Sequence, residues 1–337
     1  MLILSNCLSE IADEGGLKLA GSLVKRIKQA DSKTKVISYE RESCLSDCFL
    51  RVNKFMINRE LISMLRRNPD GLLYIPFPAR SLAMALRIWI VSCFAGRNMK
   101  VMLIRQYPFE GIARFLLKAS GAELLVFSAE AKAFYENAVN NHVTYLKTGV
   151  DTGKYVPVTP EKARSLKEAW RFDPNRPLVL HVGHMKEGRN IRQLMKLDKD
   201  YQILLVISSL SKERQDNALR EELEQRENIR IVDTYLPNIQ EIYQMCDVYF
   251  FPVVQQGHCI DVPLSCMEAA ACNKPVVTTA YGEMAQLIGK PGFFAIEDFD
   301  ADALNACVAS AMASGETDSR SAVLDYDWSH AVRELMQ

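Results

Sequence analysis

Residues 258–279 read His258-Cys259-Ile260-Asp261-Val262-Pro263-Leu264-Ser265-Cys266-Met267-Glu268-Ala269-Ala270-Ala271-Cys272-Asn273-Lys274-Pro275-Val276-Val277-Thr278-Thr279. A loop ends at Pro263, and proline suits a helix start because its missing N–H would have no intrahelical partner there. The small apolar residues that follow predict a closely packed helix over 263–272. Asn273-Lys274-Pro275 breaks it, and the β-branched run 276–279 then reads as a buried strand. Glu268 is conspicuous in this segment, because a buried carboxylate is expensive unless hydrogen-bond donors meet it. A ribose diol would be such a partner.

Outward from this helix–strand unit, the same alternation fills the chain. The second half predicts strands near 178–182, 202–207, 229–232, 248–251 and 276–279, with helices around 190–197, 211–225, 239–245, 263–272 and 302–313. The first half predicts strands near 2–5, 35–39, 72–75, 100–104 and 123–127, with helices between them. The helix at 17–28 sets Leu17, Leu19, Ala20, Leu23, Val24 and Ile27 on one side and Lys18, Lys25, Arg26 and Lys28 on the other. Turn formers break the pattern at Gly149-Val150-Asp151-Thr152-Gly153-Lys154-Tyr155-Val156-Pro157, and Thr159-Pro160-Glu161 opens a new helix. The fold class this predicts is α/β, with two Rossmann-like doubly wound domains. Such sheets bind ligands at the carboxyl ends of their strands, so a shared interdomain cleft is the expected active site.

The composition is that of a soluble globular protein: 337 residues, 48% hydrophobic and 24% charged, which excludes disorder and low-complexity scaffolds. Lys+Arg and Asp+Glu number 41 each, yet residues 1–154 hold 22 basic against 14 acidic residues, leaving 19 against 27 in the remainder. The halves are thus +8 and −8, which points to an anionic partner for the first half or to simple solubility patterning. Nine scattered cysteines form neither a disulfide framework nor a zinc pattern, so no metal is expected, and a reducing cytoplasm fits them best. The start Met1-Leu2-Ile3-Leu4 does not read as a secretion signal, and the apolar stretch 81–96 contains Arg87 and is too short to span a bilayer.

Two further segments carry polar chemistry. Gly15-Gly16 follows the first strand and opens a helix, a setting in which backbone N–H groups and the helix dipole can meet a phosphate; a plain turn is the competing reading. The spacing is not GxGxxG, which argues against a nicotinamide dinucleotide. The run Val179-Leu180-His181-Val182-Gly183-His184-Met185-Lys186-Glu187-Gly188-Arg189-Asn190-Ile191 is a strand, a glycine turn and two cations. Lys186 and Arg189 suit a diphosphate, with a solvated loop as the alternative, while His181 reads as a satisfied core histidine.

Met267-Glu268-Ala269-Ala270-Ala271-Cys272-Asn273-Lys274-Pro275-Val276-Val277 resembles the donor-site segment of the family 4 retaining glycosyltransferases, whose GT-B fold pairs two Rossmann-like domains. The resemblance keeps its order along nearly the whole chain. Phe127-Ser128-Ala129-Glu130 resembles the family's V-S-E element, Gly149-Val150-Asp151 its G-V-D linker, and Leu180-His181-Val182-Gly183 its second-domain opening strand. Cys246-Asp247-Val248-Tyr249-Phe250-Phe251-Pro252 is similar to its A-D-V-F-V-x-P strand, and Asp327-Trp328 to its closing element. The resemblance implies an acceptor domain over 1–154, a donor domain over 155–320 and a terminal helix over 321–337 that crosses back to the first domain.

Carried over by position, Glu268 binds the donor ribose, Gly15 and Gly16 sit against the phosphates, and Arg189 takes the place of the family's diphosphate lysine. Gly183, His184, Pro263, Leu264 and Ser265 complete the donor-binding set, with Pro263 offering no N–H. The catalytic set is Lys186, Arg189, Asp261 and Glu268, and Gln106 falls near a first-domain histidine of many relatives, on the acceptor side. The first glutamate of the family's E-x7-E pair falls on Ile260, with Asp261 beside it, and the partner arginine falls on His184.

The function implied is retaining, metal-independent transfer of a sugar from a UDP-sugar or GDP-sugar co-substrate to a glycan or lipid-linked acceptor in cell-surface polysaccharide assembly. No bound cofactor is implied. Ile260 keeps open a non-catalytic nucleotide-sugar-binding subunit, and the fold keeps open an epimerase or a phosphorylase. Residues 41–118 hold 13 basic and 5 acidic residues, among them Arg66, Arg67, Arg80, Arg87, Arg97 and Lys100. With Leu82, Leu86, Ile88, Trp89, Ile90 and Phe94 they suggest peripheral contact with an anionic membrane; the competing reading makes those apolar residues the inner face of an interior helix. Nucleic acid is not an expected partner, because no aromatic-interleaved basic stripe is present.

Overall fold

The computed structural model describes residues 1–9, 14–68, 70–77, 80–96, 98–208, 216–314 and 317–336. They form two units, Met1–Lys147 joined by the end of the chain, and Thr148–Asp327.

In the first unit the elements run β1 (Leu2–Ser5), α1 (Gly15–Ala30), β2 (Lys35–Ser38), β3 (Cys48–Phe49), α2 (Arg59–Arg67), β4 (Leu72–Ile75), α3 (Ser81–Ala95), β5 (Met99–Met102), α4 (Gly111–Ser120), β6 (Glu123–Val126), α5 (Ala129–Ala138) and β7 (Val143–Tyr145). The strands pair in parallel in the order β3-β2-β1-β4-β5-β6-β7, so the order reverses between β1 and β4. Every residue of β1 and β4 is buried, as expected of parallel strands covered on both faces. Tyr39 and Tyr74, both fully buried, satisfy each other through their hydroxyls at 2.8 Å. Leu17, Leu19, Ala20, Leu23, Val24 and Ile27 of α1 face the interior, as the 17–28 pattern predicts.

The second unit continues with α6 (Pro160–Ala169), β8 (Leu178–Gly183), β9 (Gln202–Ile207), α7 (Asn217–Glu224), β10 (Ile229–Val232), α8 (Gln240–Met245), β11 (Val248–Phe251), α9 (Leu264–Ala271), β12 (Val276–Thr278), α10 (Met284–Leu287), β13 (Phe293–Ala295) and α11 (Ala301–Ala313). Its parallel sheet has the order β10-β9-β8-β11-β12-β13, reversing between β8 and β11. The start of β8 is pinned by Asp247, whose Oδ2 accepts from Leu178 N and from the buried Lys167 ammonium, both at 2.6 Å. The Gly149-Val150-Asp151 segment is tied to the end of the same unit: Val150 bridges Asp327, and Asp327 Oδ2 accepts from Thr152 N at 2.9 Å and Thr152 Oγ1 at 2.7 Å. The last helix, α12 (Trp328–Leu335), belongs to the first unit and packs its Trp328, Ala331, Val332 and Leu335 face on α1.

The ten strands read from the sequence are present, and β3, β7 and β13 are additions at or beside sheet edges, two or three residues long and defined by pairing alone. The stretch 190–197 is not an α-helix but two 3₁₀ turns, Glu187–Arg189 and Ile191–Lys196, because Asn190 adopts a left-handed conformation (φ 56°) between them. In the expected 211–225 helix, α7 starts after Asp216, whose side chain caps Leu219 N at 3.1 Å; residues 211–215 lie outside the described residues, as does Arg97.

Along α3, Met84, Ala85, Ile88 and Val91 are buried, and Ile90 and Phe94 pack against the same core, so the interior-helix reading holds for its centre. Leu82 alone is half exposed. The strongly exposed apolar side chains of this unit are instead on α4, Ile112 at 70% and Phe115 at 68%, beside exposed Arg114 and Lys118. Among the described residues no helix is long and apolar enough to cross a membrane.

Candidate functional site

The crevice outside the carboxyl ends of β8 and β11, where the strand order reverses, is where a doubly wound sheet binds ligands. Gly183 ends β8 there, followed by His184, Lys186 and the turn Glu187–Arg189. On the other side, β11 leads through 252–262 into α9. Gly183, His184, Lys186, Arg189, Asp261, Pro263, Leu264, Ser265 and Glu268 all belong to this part of the second unit. Gly15, Gly16 and Gln106 belong to the first unit: the glycines begin α1, and Gln106 follows β5, half-buried.

Arg189 is the most informative side chain. Only 8% of it is exposed, its Nε has no hydrogen-bond partner, and no carboxylate pairs with it among the described residues. The Cys259 thiol lies beside the guanidinium, which offsets part of the upward pKa shift that burial imposes on that thiol. Its charge also reaches Tyr249 and Cys266, whose protonated forms burial favours strongly. A buried, unpaired cation is expensive, so a site that holds one in waiting is built for an anion. Lys186, half-buried in the same turn, also forms no ion pair among the described residues. The turn is held by Arg189 N donating to Lys186 O at 3.0 Å, and Gly188 has no room for a side chain because the His258 ring lies against it.

Helix α9 adds dipole to charge. Pro263 is its N-cap and offers no side-chain cap, and no acidic residue sits in the first turn, so its leading N–H groups and dipole favour an anion. Pro263 itself contributes its carbonyl, which accepts from Cys266 N at 3.0 Å. One turn further in, Glu268 is 2% exposed; its charge, after burial, holds the Tyr243 phenol well above the ordinary range. Asp261 is 1% exposed, and its backbone carbonyl is locked to Glu283 N at 2.8 Å. Its carboxylate acts on Cys259 and Tyr281 rather than standing open to solvent. Ser265 lies next to the Tyr249 hydroxyl, which donates to Val182 O at 3.2 Å.

The sequence reading missed how Tyr249, Cys259 and His181 surround Arg189. His181 was expected to be a satisfied core histidine, and half of it is: Nδ1 lies 2.8 Å from Phe250 O, but Nε2 has no partner. A histidine within an otherwise apolar strand was the available signal.

Residues 176–314 match the family model described as glycosyl transferases group 1. The alpha-maltose-1-phosphate synthase of Mycolicibacterium smegmatis is 23% identical over 223 residues, which cover 58% of this chain and 56% of that protein, so the chain aligns with only about half of its relative's length. Over its whole length the fold is that of solved glycosyltransferases of the two-domain GT-B type. A glycosyltransferase from Rickettsia africae superposes with a TM-score of 0.75 at 15% identity, covering 99% of this chain and 96% of that one. Anabaena HepE, solved with UDP and glucose, superposes with a TM-score of 0.75 at 14% identity, covering 99% and 98%.

Proposed function

We propose that the protein is a retaining glycosyltransferase that moves a sugar from a nucleoside diphosphate sugar to an acceptor hydroxyl, with the donor held by the second unit. The observation that carries this reading is Arg189, a buried cation without an anionic partner at the carboxyl end of β8. The family match over 176–314 and the UDP seen in HepE support the same donor class. In the proposed reaction Arg189, Lys186 and the first amides of α9 take up the charge that develops on the leaving diphosphate, so preorganised electrostatics supply the main catalytic effect without a metal. Glu268 accepts from the ribose hydroxyls, Gly183, His184, Leu264 and Ser265 shape the phosphate and sugar subsites, and Asp261 lies on the sugar side. Gly15, Gly16 and Gln106 are proposed to serve from the first unit, Gln106 on the acceptor side. A UDP-sugar or a GDP-sugar would suit these contacts.

The acceptor is proposed to be a glycan or lipid-linked glycan for cell-surface polysaccharide, bound by the basic first unit, whose exposed Ile112 and Phe115 beside Arg114 and Lys118 suit the headgroup region of an anionic membrane. The second reading, a nucleotide-sugar-binding subunit without turnover, is favoured by Ile260 and by the burial of Asp261. Incubation with UDP-glucose or GDP-mannose and lipid or oligosaccharide acceptors, followed by NMR, separates the two. Acceptor-dependent release of nucleoside diphosphate with an unchanged anomeric configuration is expected; saturable binding without release selects the subunit reading.

A further inference from the structure

The chain from Cys259 to Leu264, which leads into α9, is held by Tyr281-Gly282-Glu283, the three residues before α10. The Tyr281 hydroxyl donates to Cys259 O at 2.8 Å and accepts from Cys259 N at 3.3 Å, so one side chain satisfies both backbone groups of that residue. Burial pushes this phenol up, so it stays protonated near pH 7 and remains a donor. Its ring meets Phe251 edge to face, with centroids 6.3 Å apart. Gly282 has a left-handed backbone (φ 54°), and a Cβ there would overlap the Asp261 carbonyl, so only glycine lets the two segments approach this closely. Glu283 N donates to that same carbonyl at 2.8 Å.

Glu283 is fully buried, and its carboxylate accepts from the hydroxyl of Tyr326, itself buried. Tyr326 stands beside the place where the chain leaves the second unit, between Asp327 and Trp328; the chain enters that unit between Lys147 and Thr148. The two passages are bonded to each other, Val150 N donating to Tyr326 O at 3.2 Å. The entering one also packs on the same loop and helix: a Cβ on Gly149 would stand 3.0 Å from Val262 Cγ2 and 3.2 Å from Met267 Cγ. Residues 254–257, the outer half of the loop, are exposed, so its inner half takes its shape from these bonds. Tyr281, Glu283 and Tyr326 are too buried to meet a ligand. Their bonds nevertheless end on the segment that carries the thiol beside Arg189, the Asp261 carboxylate and the first amides of α9.

We propose that Tyr281 and Tyr326 are positioning residues of the donor site: their hydroxyls, the second acting through Glu283, fix the 259–264 loop in the shape that receives the diphosphate of a nucleotide sugar. The proposal rests on the reading of the second unit as a nucleotide-sugar site. The two tyrosines act before the ligand arrives. They keep Asp261 and the leading amides of α9 in place, so that binding does not bear the entropy of ordering the loop.

The test is calorimetric titration of the whole protein with UDP, GDP, UDP-glucose and GDP-mannose, at a temperature where every variant is folded, beside thermal unfolding without ligand. Tyr281→Phe and Tyr326→Phe keep the rings and remove the hydroxyls. Lys167→Met is the control: it removes the ammonium that donates to Asp247 at the start of β8, and so destabilises the same unit without touching the loop. Each tyrosine variant should weaken the nucleotide that the wild type binds by about three- to tenfold, the worth of one hydrogen bond, while Lys167→Met leaves it within about twofold. Tyrosine variants that unfold at lower temperature yet bind like the wild type mark a purely structural role and overturn the proposal, as does an equal loss of affinity in Lys167→Met. Should one tyrosine variant fail to fold, the other decides; failure of both also marks a structural role. Wild-type protein that binds none of the four ligands overturns the donor-site reading itself, and this proposal with it.

Discussion

Replacing Arg189 by methionine keeps the length of the side chain and removes its charge, and the structure predicts opposite effects on stability and on binding. In the ligand-free protein the guanidinium is buried with its Nε unpartnered, and an unsatisfied buried polar group costs about 1–3 kcal/mol. Arg189→Met should therefore leave the second unit, Thr148–Asp327, as stable as before or more stable by up to that amount. At about 2–4 °C per kcal/mol for a unit of this size, the unfolding temperature rises by roughly 2–12 °C or stays level. Binding should move the other way. Losing a desolvated, hydrogen-bonded charge partner of the diphosphate costs about 2–5 kcal/mol, a rise in Kd between roughly 30-fold and a few thousand-fold. Thermal unfolding without ligand and calorimetric titration with UDP and GDP read the two effects on one preparation. An unfolding temperature that falls by several degrees while nucleotide affinity is unchanged would show that Arg189 is a structural cation and not a diphosphate ligand.

Glu268→Ala should weaken binding of UDP or GDP by about 1–3 kcal/mol and, more tellingly, remove the preference for the ribonucleotide over its 2′-deoxy analogue; a preference that survives would remove Glu268 from the ribose. The pH dependence of stability should carry the mark of His181, held at about 4 against 6.5 in the unfolded chain. Because only the unfolded state takes up that proton between the two values, the contribution is complete above about pH 6.5 and declines as pH falls towards 4, by on the order of 3 kcal/mol; His181→Phe should flatten that part of the curve in denaturant titrations. Ile112→Ser with Phe115→Ser should reduce co-sedimentation with phosphatidylglycerol vesicles severalfold while leaving nucleotide binding untouched, and equal sedimentation of variant and wild type would dismiss the α4 surface as a membrane contact.

The alternation of apolar runs and amphipathic helices was enough to place ten strands and the class of fold, because parallel strands covered on both faces must be continuously apolar. The edges were not legible: Cys48–Phe49 and Phe293–Ala295 are too short to show a period, and only their backbone pairing makes them strands. Nor could a period of three to four residues decide between α and 3₁₀ structure in 187–196, where the left-handed Asn190 resets the backbone. On α4, Ile112 and Phe115 share a helix with buried Ala113 and Leu117, so the sequence shows apolar residues on two faces without saying which is covered.

At the candidate site, the oddity of a lone carboxylate in an Ala-rich helix singled out Glu268 from sequence alone. The Arg189 cation was legible as chemistry but not as burial, since a solvated loop and a buried turn have the same composition. The hydrogen bonding of His181 depends on a contact between ring and carbonyl across two strands, and no spacing along the chain encodes which of its nitrogens is left over.

The nucleotide-sugar site of the second unit stands or falls with the unfolding temperature of the wild-type protein in the presence of UDP, GDP, ADP and CMP and their sugar conjugates. A ligand at about 100 times its Kd adds roughly 2.7 kcal/mol, a shift of several degrees. One nucleoside diphosphate series should stabilise the protein, and Glu268→Ala and Arg189→Met should each reduce the shift, Arg189→Met the more strongly. A folded protein that none of these ligands stabilises would contradict the assignment of the site.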